Sequence, residues 1–236
     1  MKLHSPMVVA LVALLTRAAA GAPPADTQEL HSLMARMDKA ASEFKAMTAQ
    51  VSYVTHTDVL NEDNTETGTA MMEKVQPGEV KGRVDFVTPD PHIITFERRH
   101  VQRYFPKIKT LEVYDLEKNG EQLDKFLMIG FGTSGAELAK DYDVVVLDVE
   151  PLKGQSGRFV HIRLTPKSAE ARQYVKNLEQ WIPEQGDPYP IREKILQPSN
   201  DYVVVSYSDL KINPPLKPDA LQLKLPAGVK TVYPGR

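Results

Sequence analysis

Segment 126–148, FLMIGFGTSGAELAKDYDVVVLD, holds the residues best spaced for chemistry. Gly130, Gly132 and Gly135 fit G-x-G-x-x-G between an apolar run and a helix-forming stretch, and Asp148 ends the next apolar run. In a strand–helix–strand unit such glycines bring backbone close to a dinucleotide pyrophosphate, and the acid takes a ribose hydroxyl. Only Ala136 to Tyr142 remain here for a crossover helix, too few to recross a sheet in a unit of roughly 30 residues, and no second unit follows Glu150. A nicotinamide-dependent enzyme built on this loop is therefore the least favoured of the function classes. Ser134 and Ser156 miss the G-x-S-x-G pattern of a nucleophile elbow, because the fifth position is Ala136 or Arg158. His31, His56, His92, His100 and His161 show neither H-E-x-x-H nor a tight cluster, so each reads as a surface residue of a helix or strand and no metal is expected. The stretch containing Arg98, Arg99, Arg103, Lys107 and Lys109, with Tyr104 and Phe105 among them, reads as a solvated hairpin that could orient docking to an anionic partner.

Composition narrows the field further. The 236-residue chain is 42% apolar and 25% charged, inside the range of a folded globular protein. Its formal net charge of −2 gives no support for binding nucleic acid. The absence of cysteine removes disulfides, thiolate metal sites and a thiol nucleophile. Catalytic residues, cofactor and metal are all expected to be lacking, and an apolar core must hold the fold.

The elements that position these residues follow from periodicity. Residues 1–20 carry Lys2 and His4, the apolar run Met7 to Leu15, and Ala18-Ala19-Ala20, the order of a secretory signal peptide. Nine apolar residues span only about 14 Å as helix, against roughly 30 Å of hydrocarbon. The remainder, 21–236, is expected to be one exported, periplasmic domain. From Asp26, Leu30, Leu33, Met34, Met37, Ala40, Ala41, Phe44 and Met47 mark one apolar stripe of a helix, with Asp26 and Glu29 as a capping box. After Met47 the period changes to two. Short strands follow at Thr69–Val75, Val80–Phe86, His92–Glu97, Val101–Phe105 and Leu111–Asp115. A helical interlude at Glu121–Tyr142 separates these from Asp143–Glu150, Arg158–Leu164, Val175–Ile182, Ile191–Gln197, Tyr202–Leu210 and Leu221–Leu225. Nine of the 18 prolines lie between Pro183 and Pro234, which suits hairpin loops and excludes long helices there. The expected fold is mainly β: one large, curved, unclosed antiparallel sheet of about 11–12 strands, a half-barrel, with an N-terminal helix and central helices as a lid.

The C-terminal string YSDLKINPPLKPDALQLKLPAGVKTVYP, Tyr207 to Pro234, resembles the end of periplasmic lipoprotein carriers of the LolA family. LTPKS at Leu164 to Ser168 is similar to that family too, as is the early order of helix, then Phe44 to Thr48, then strand. The resemblance spans about Asp26 to Pro234. It implies an apolar cavity between sheet and helices that receives acyl chains of a lipoprotein or lipid, without catalysis. Implied partners are an inner-membrane ABC transporter and an outer-membrane acceptor, with transient contact at the membrane surface. LolA-like sensors and scaffolds that bind an envelope protein supply the alternative reading. The sequence departs from the family at an early hairpin, where Gln76 or Val75 stands in place of an arginine that latches the lid, so the latch is missing or has moved to Arg83.

On this reading Met72, Val84, Phe86, Ile94, Phe96, Leu111 and Val113 line the concave face, and Leu123, Phe126, Leu127 and Ile129 form the central lid.

Overall fold

The computed structural model describes residues 25–234 except 77, 98–99 and 116–128. The first element is helix α1 (Ala25–Glu43), whose buried positions Leu33, Met37 and Ala41 fall on one stripe, continued by Phe44 just beyond its end. Eleven strands and one short helix follow before the C-terminal segment: β1 (Ala46–Thr57), β2 (Glu62–Gln76), β3 (Glu79–Thr88), β4 (His92–Glu97), β5 (His100–Phe105), β6 (Thr110–Asp115), α2 (Gly135–Asp141), β7 (Tyr142–Glu150), β8 (Phe159–Pro166), β9 (Asn177–Pro183), β10 (Arg192–Leu196) and β11 (Tyr202–Ile212). The last strand is β12 (Lys230–Val232).

All twelve join one sheet in the order β12-β6-β5-β4-β3-β2-β1-β11-β10-β9-β8-β7. Its two edge strands, β12 and β7, do not pair, so the sheet is an open half-barrel. Every pairing is antiparallel except β12 on β6, which is parallel. That pairing departs from the all-antiparallel expectation. The segment Leu221–Leu225, expected as a strand, is turn and coil, and the strand comes several residues later. Before reaching β6 the C-terminal tail crosses the outer face, where the Arg83 guanidinium donates to the Gln222 carbonyl at 2.6 Å. Arg83 therefore anchors the tail and is not a lid latch.

Asn213, in the INPP motif, joins the two ends of the chain. Its side-chain oxygen accepts from the backbone N–H groups of Lys45 (2.7 Å) and Ala46 (3.1 Å), and its amide donates to the Glu43 carbonyl at 3.0 Å. The residue takes a left-handed φ of 54°, a conformation asparagine tolerates well. One side chain thus caps the end of α1 and fixes where β1 begins.

Two apolar clusters hold the inner face. One packs Leu33 and Met37 of α1 and Leu138 of α2 against Val160, Ile162, Leu164, Leu178 and Ile182. The other gathers Phe44, Phe131 and Tyr189 over Met47, Ala49, Met72 and Val80. Helix α2 starts with a capping box in which Ser134 and Glu137 satisfy each other's backbone N–H. Gly135 lies against α1, since a Cβ there would fall 2.6 Å from the Met34 carbonyl oxygen and 2.8 Å from its Cα. The third glycine of G-x-G-x-x-G is therefore a helix-packing residue, and β7 pairs only with antiparallel β8, which leaves the motif outside any parallel strand–helix–strand unit.

Gly135→Ala should separate α1 from α2 and cost about 2 kcal/mol, the scale of overpacking where backbone must move. Urea denaturation measures it, and an unchanged midpoint would contradict this account of the glycine.

Candidate functional site: the inner face of the sheet

Register fixes which side chains share the inner face, because directly paired residues point the same way. Met72 pairs with Gly82 and Gly82 with Phe96; Ala70 with Val84 and Val84 with Ile94; Gly68 with Phe86 and Phe86 with His92. Met72, Val84, Phe86, Ile94 and Phe96 therefore form one contiguous wall on the α1 side, joined by Val101 opposite Phe96. Gly82 admits the Phe96 ring, whose Cζ would lie 2.1 Å from a Cβ at that glycine.

Leu111 and Val113 are corrected to the opposite face. Leu111 pairs with Tyr104 and Val113 with Gln102, which pair in turn with Ile93 and Thr95, one residue out of phase with Ile94 and Phe96. Leu111 and Tyr104 are buried on the outer face that the C-terminal tail crosses. Ile129 is buried in the cluster of α1 and β8–β9. Leu123, Phe126 and Leu127 lie outside the described residues.

Cover over the inner face is uneven. Among the described residues, the apolar cluster of α1 and α2 spans β7 to β10, whereas over β2 to β4 the packed residues are Ala40, Phe44, Phe131 and Tyr189. Val84, Ile94, Phe96 and Val101 are only half-buried. Farther along the same strands the wall becomes aromatic and then charged. Tyr53 meets Phe86 edge-on at 5.9 Å, Phe86 stacks on buried His92 at 4.7 Å, and His92 stacks on Phe105 at 5.7 Å. Arg103 lies 4.7 Å over the Phe105 ring. His92 Nδ1–H donates to the Asp90 carbonyl at 2.9 Å, leaving Nε2 to accept from Arg103 Nη2 at 3.4 Å. Arg103 Nε is buried with no partner among the described residues.

Where the covered and open parts meet, β9, β10 and β11 place three polar side chains together. Gln180 Nε2 donates to Glu193 Oε1 at 2.6 Å and the Tyr207 hydroxyl donates to Glu193 Oε2 at 2.7 Å. All three lie in the interior, and Gln180 Oε1 has no partner among the described residues. Burial pushes the Glu193 carboxyl up from 4.5, against both hydrogen bonds. Burial, with Glu193 beside it, pushes the Tyr207 hydroxyl well above its ordinary range. The turn at Ile129–Phe131 closes over this group: Gly130, at φ 86°, leaves no room for a Cβ, which would fall 2.8 Å from Gln180 Nε2. Phe131 packs edge-on to Tyr207 at 5.1 Å and stacks on Tyr189 at 6.0 Å. Tyr189 is pushed up to about 12, by burial first and then by Asp187 and Glu43.

A depression of about 320 Å³ opens among Gln50, Val51, Ser52, Thr67, Val87, Gln155, Ser206, Tyr207 and Ser208.

No family profile matches the sequence, and no curated relative matches it. Solved structures do match. An uncharacterized conserved protein from Thermus thermophilus superposes with a TM-score of 0.50 at 14% identity, over 86% of this chain and 98% of that one. That likeness is one of fold. A LolA superfamily protein from Nitrosomonas europaea matches at a TM-score of 0.39 and 12% identity, over 83% and 97% of the two chains. The MucA/MucB complex structure from Pseudomonas aeruginosa matches at 0.45 and 14%, over 83% and 61%. No helix of the described residues is long and apolar enough to cross a membrane.

Sequence reasoning missed Tyr53, Val101, Tyr207, Gln180 and Glu193. A polar side chain inside an alternating strand, such as Gln180 between Glu179 and Trp181, gives no sign of which face it occupies until its neighbours are known.

Glu193→Gln retains an acceptor for Tyr207 and removes the titration. A carboxyl with a raised folded pKa holds its proton more tightly in the folded chain. Its contribution is fully present below the ordinary value and is lost as pH rises toward the folded one. The stability of the variant relative to wild type should therefore climb as pH increases above the ordinary carboxyl value of 4.5. Urea midpoints across that range measure the climb, and a pH-independent difference contradicts it.

Proposed function

We propose that this chain is an exported carrier that binds acyl chains of a lipoprotein or lipid against the inner face of its sheet and ferries them across an aqueous compartment, without catalysis or cofactor. The observation that carries the reading is the uneven cover: Val84, Ile94 and Phe96 form an apolar wall left half-buried in the interior of an open half-barrel. Each methylene withdrawn from water is worth about 0.8 kcal/mol, so a chain of roughly 16 carbons represents on the order of 12 kcal/mol. Arg103 and His92, one step along the wall, supply a polar end where a headgroup or the first residues of a lipoprotein would sit. Loading comes from an inner-membrane ABC transporter and delivery goes to an outer-membrane acceptor. Residues 1–20 direct export.

Native mass spectrometry of protein purified from its own envelope should show adducts of acyl-chain mass. Ile94→Lys, which sets a charge on the wall, should abolish the adducts and cut extraction of lipoprotein from membranes at least about tenfold, given the cost of burying an unpaired ammonium. Val87→Lys, on the exposed outer face of β3, should leave both intact. A bare polypeptide from wild type that also extracts nothing rejects transport, and a stable protein partner in its place selects the sensor or scaffold reading.

A further inference from the structure

On the outer face, away from the proposed cargo wall, β7 and β8 bring together Asp148, Glu150 and His161. One ligand atom from each lies within 4.8 Å of the other two. A β-bulge builds this grouping. The register of β7 on β8 shifts between Val146 and Asp148, so that Asp148 lies opposite His161 and Glu150 opposite Phe159. Without the extra residue, Leu147 would face His161, and both acids would turn to the inner face. Bulges often re-aim side chains next to functional sites.

The surroundings of His161 prepare it as a ligand. Its ring is nine-tenths buried and stacks on Trp181 at 4.1 Å. Nε2 lies 3.4 Å from Glu179 Oε2, and the other Glu179 oxygen is held by Arg163 at 2.7 and 2.9 Å. A carboxylate behind the far nitrogen is the arrangement that fixes the tautomer and orientation of metal-bound histidines. With Nε2–H donated to Glu179, Nδ1 presents a lone pair, and it faces Asp148 Oδ2 at 3.4 Å. Two acceptors face each other there, a geometry satisfied by a cation between them or by a second proton on the ring. Glu150 Oε1 accepts the Trp181 indole N–H at 3.0 Å, which orients that carboxylate too. No lysine or arginine pairs with Asp148 or Glu150 among the described residues.

We propose that Asp148, Glu150 and His161 form a binding site for a first-row transition-metal dication of the zinc class, with the fourth position open to water. Zinc bonds of about 2.0–2.1 Å place neighbouring tetrahedral ligands roughly 3.4 Å apart, the spacing His161 and Asp148 already have. One imidazole with two carboxylates favours such ions over calcium or magnesium, which take all-oxygen sets. A bound ion ties edge strand β7 to β8.

Trp181, the sole tryptophan, reports directly on the site. Zinc titrated into metal-free full-length protein should give a saturable change in Trp181 fluorescence with one ion per chain by calorimetry, and calcium should give none. Asp148→Asn and Glu150→Gln should each weaken zinc binding at least tenfold with far-ultraviolet circular dichroism unchanged, and Glu179→Gln about tenfold through the orientation of His161. No saturable response in wild type overturns the proposal. Zinc affinity undiminished in both Asp148→Asn and Glu150→Gln places the ion elsewhere and overturns it equally, as does calcium binding of equal strength.

Discussion

A single sheet that does not close on itself must cover its inner face with something else, and the described helices cover only part of it. Helices α1 and α2 reach the apolar residues of β7 to β10 and complete a solid core there. Over β2 to β4 the same alternation of apolar residues continues, but among the described residues the cover thins to Ala40, Phe44, Phe131 and Tyr189. Apolar surface left this way stays available for a ligand, since the free energy of removing it from water has not yet been gained by folding. Affinity and stability therefore compete for one resource, and the partition between them follows from where α1 lies.

The placement of α1 rests on a few polar contacts. Asn213 clamps its end to the start of β1. Farther up, Arg36 Nη1 donates to the carbonyls of Pro183 (3.0 Å) and Gly186 (3.1 Å), while its other guanidinium nitrogens are buried without partners among the described residues. Between the covered and open parts, Gln180, Glu193 and Tyr207 form a buried hydrogen-bonded group beneath the Ile129–Phe131 turn. Such groups cost desolvation energy and are kept where a specific arrangement is worth more than stability. Here the group marks the limit of the solid core and holds Phe131 and Tyr189 where the open wall begins.

Much of this architecture could be read from residue order. The stripe from Leu30 to Ala41 could belong only to a helix lying on a core, although the same spacing ran on through Phe44 and Met47, which lie past the helix end, Met47 in β1; alternation with short connections required antiparallel strands. Phe96 and Val84 were legible as wall residues because β3 and β4 form a tight hairpin whose register the pattern itself sets. Leu111 and Val113 were not legible, because the tail that returns over the outer face makes that face of β6 the apolar one while Thr110, Glu112 and Tyr114 face inward, so alternation there points the wrong way. The parallel pairing of β12 was hidden for a related reason: three residues carry no period, and their partner lies more than a hundred positions away. The Asp148–Glu150–His161 group was invisible because a one-residue bulge decides the face, and no residue type announces it. The glycine motif, set aside as a dinucleotide loop from the sequence, owes its familiar spacing to close packing of Gly130 on Gln180 and of Gly135 on Met34.

The central claim is that hydrocarbon occupies the inner face and not the outer. A fatty acid carrying a diazirine near its methyl end, photolysed with the protein and mapped by peptide mass spectrometry, tests it directly. Alternation along β3 and β4 predicts label on Val84, Ile94 and Phe96 and none on Arg83, Ile93 and Thr95 between them. Label on the second set, or no label above that of denatured protein, would contradict the account.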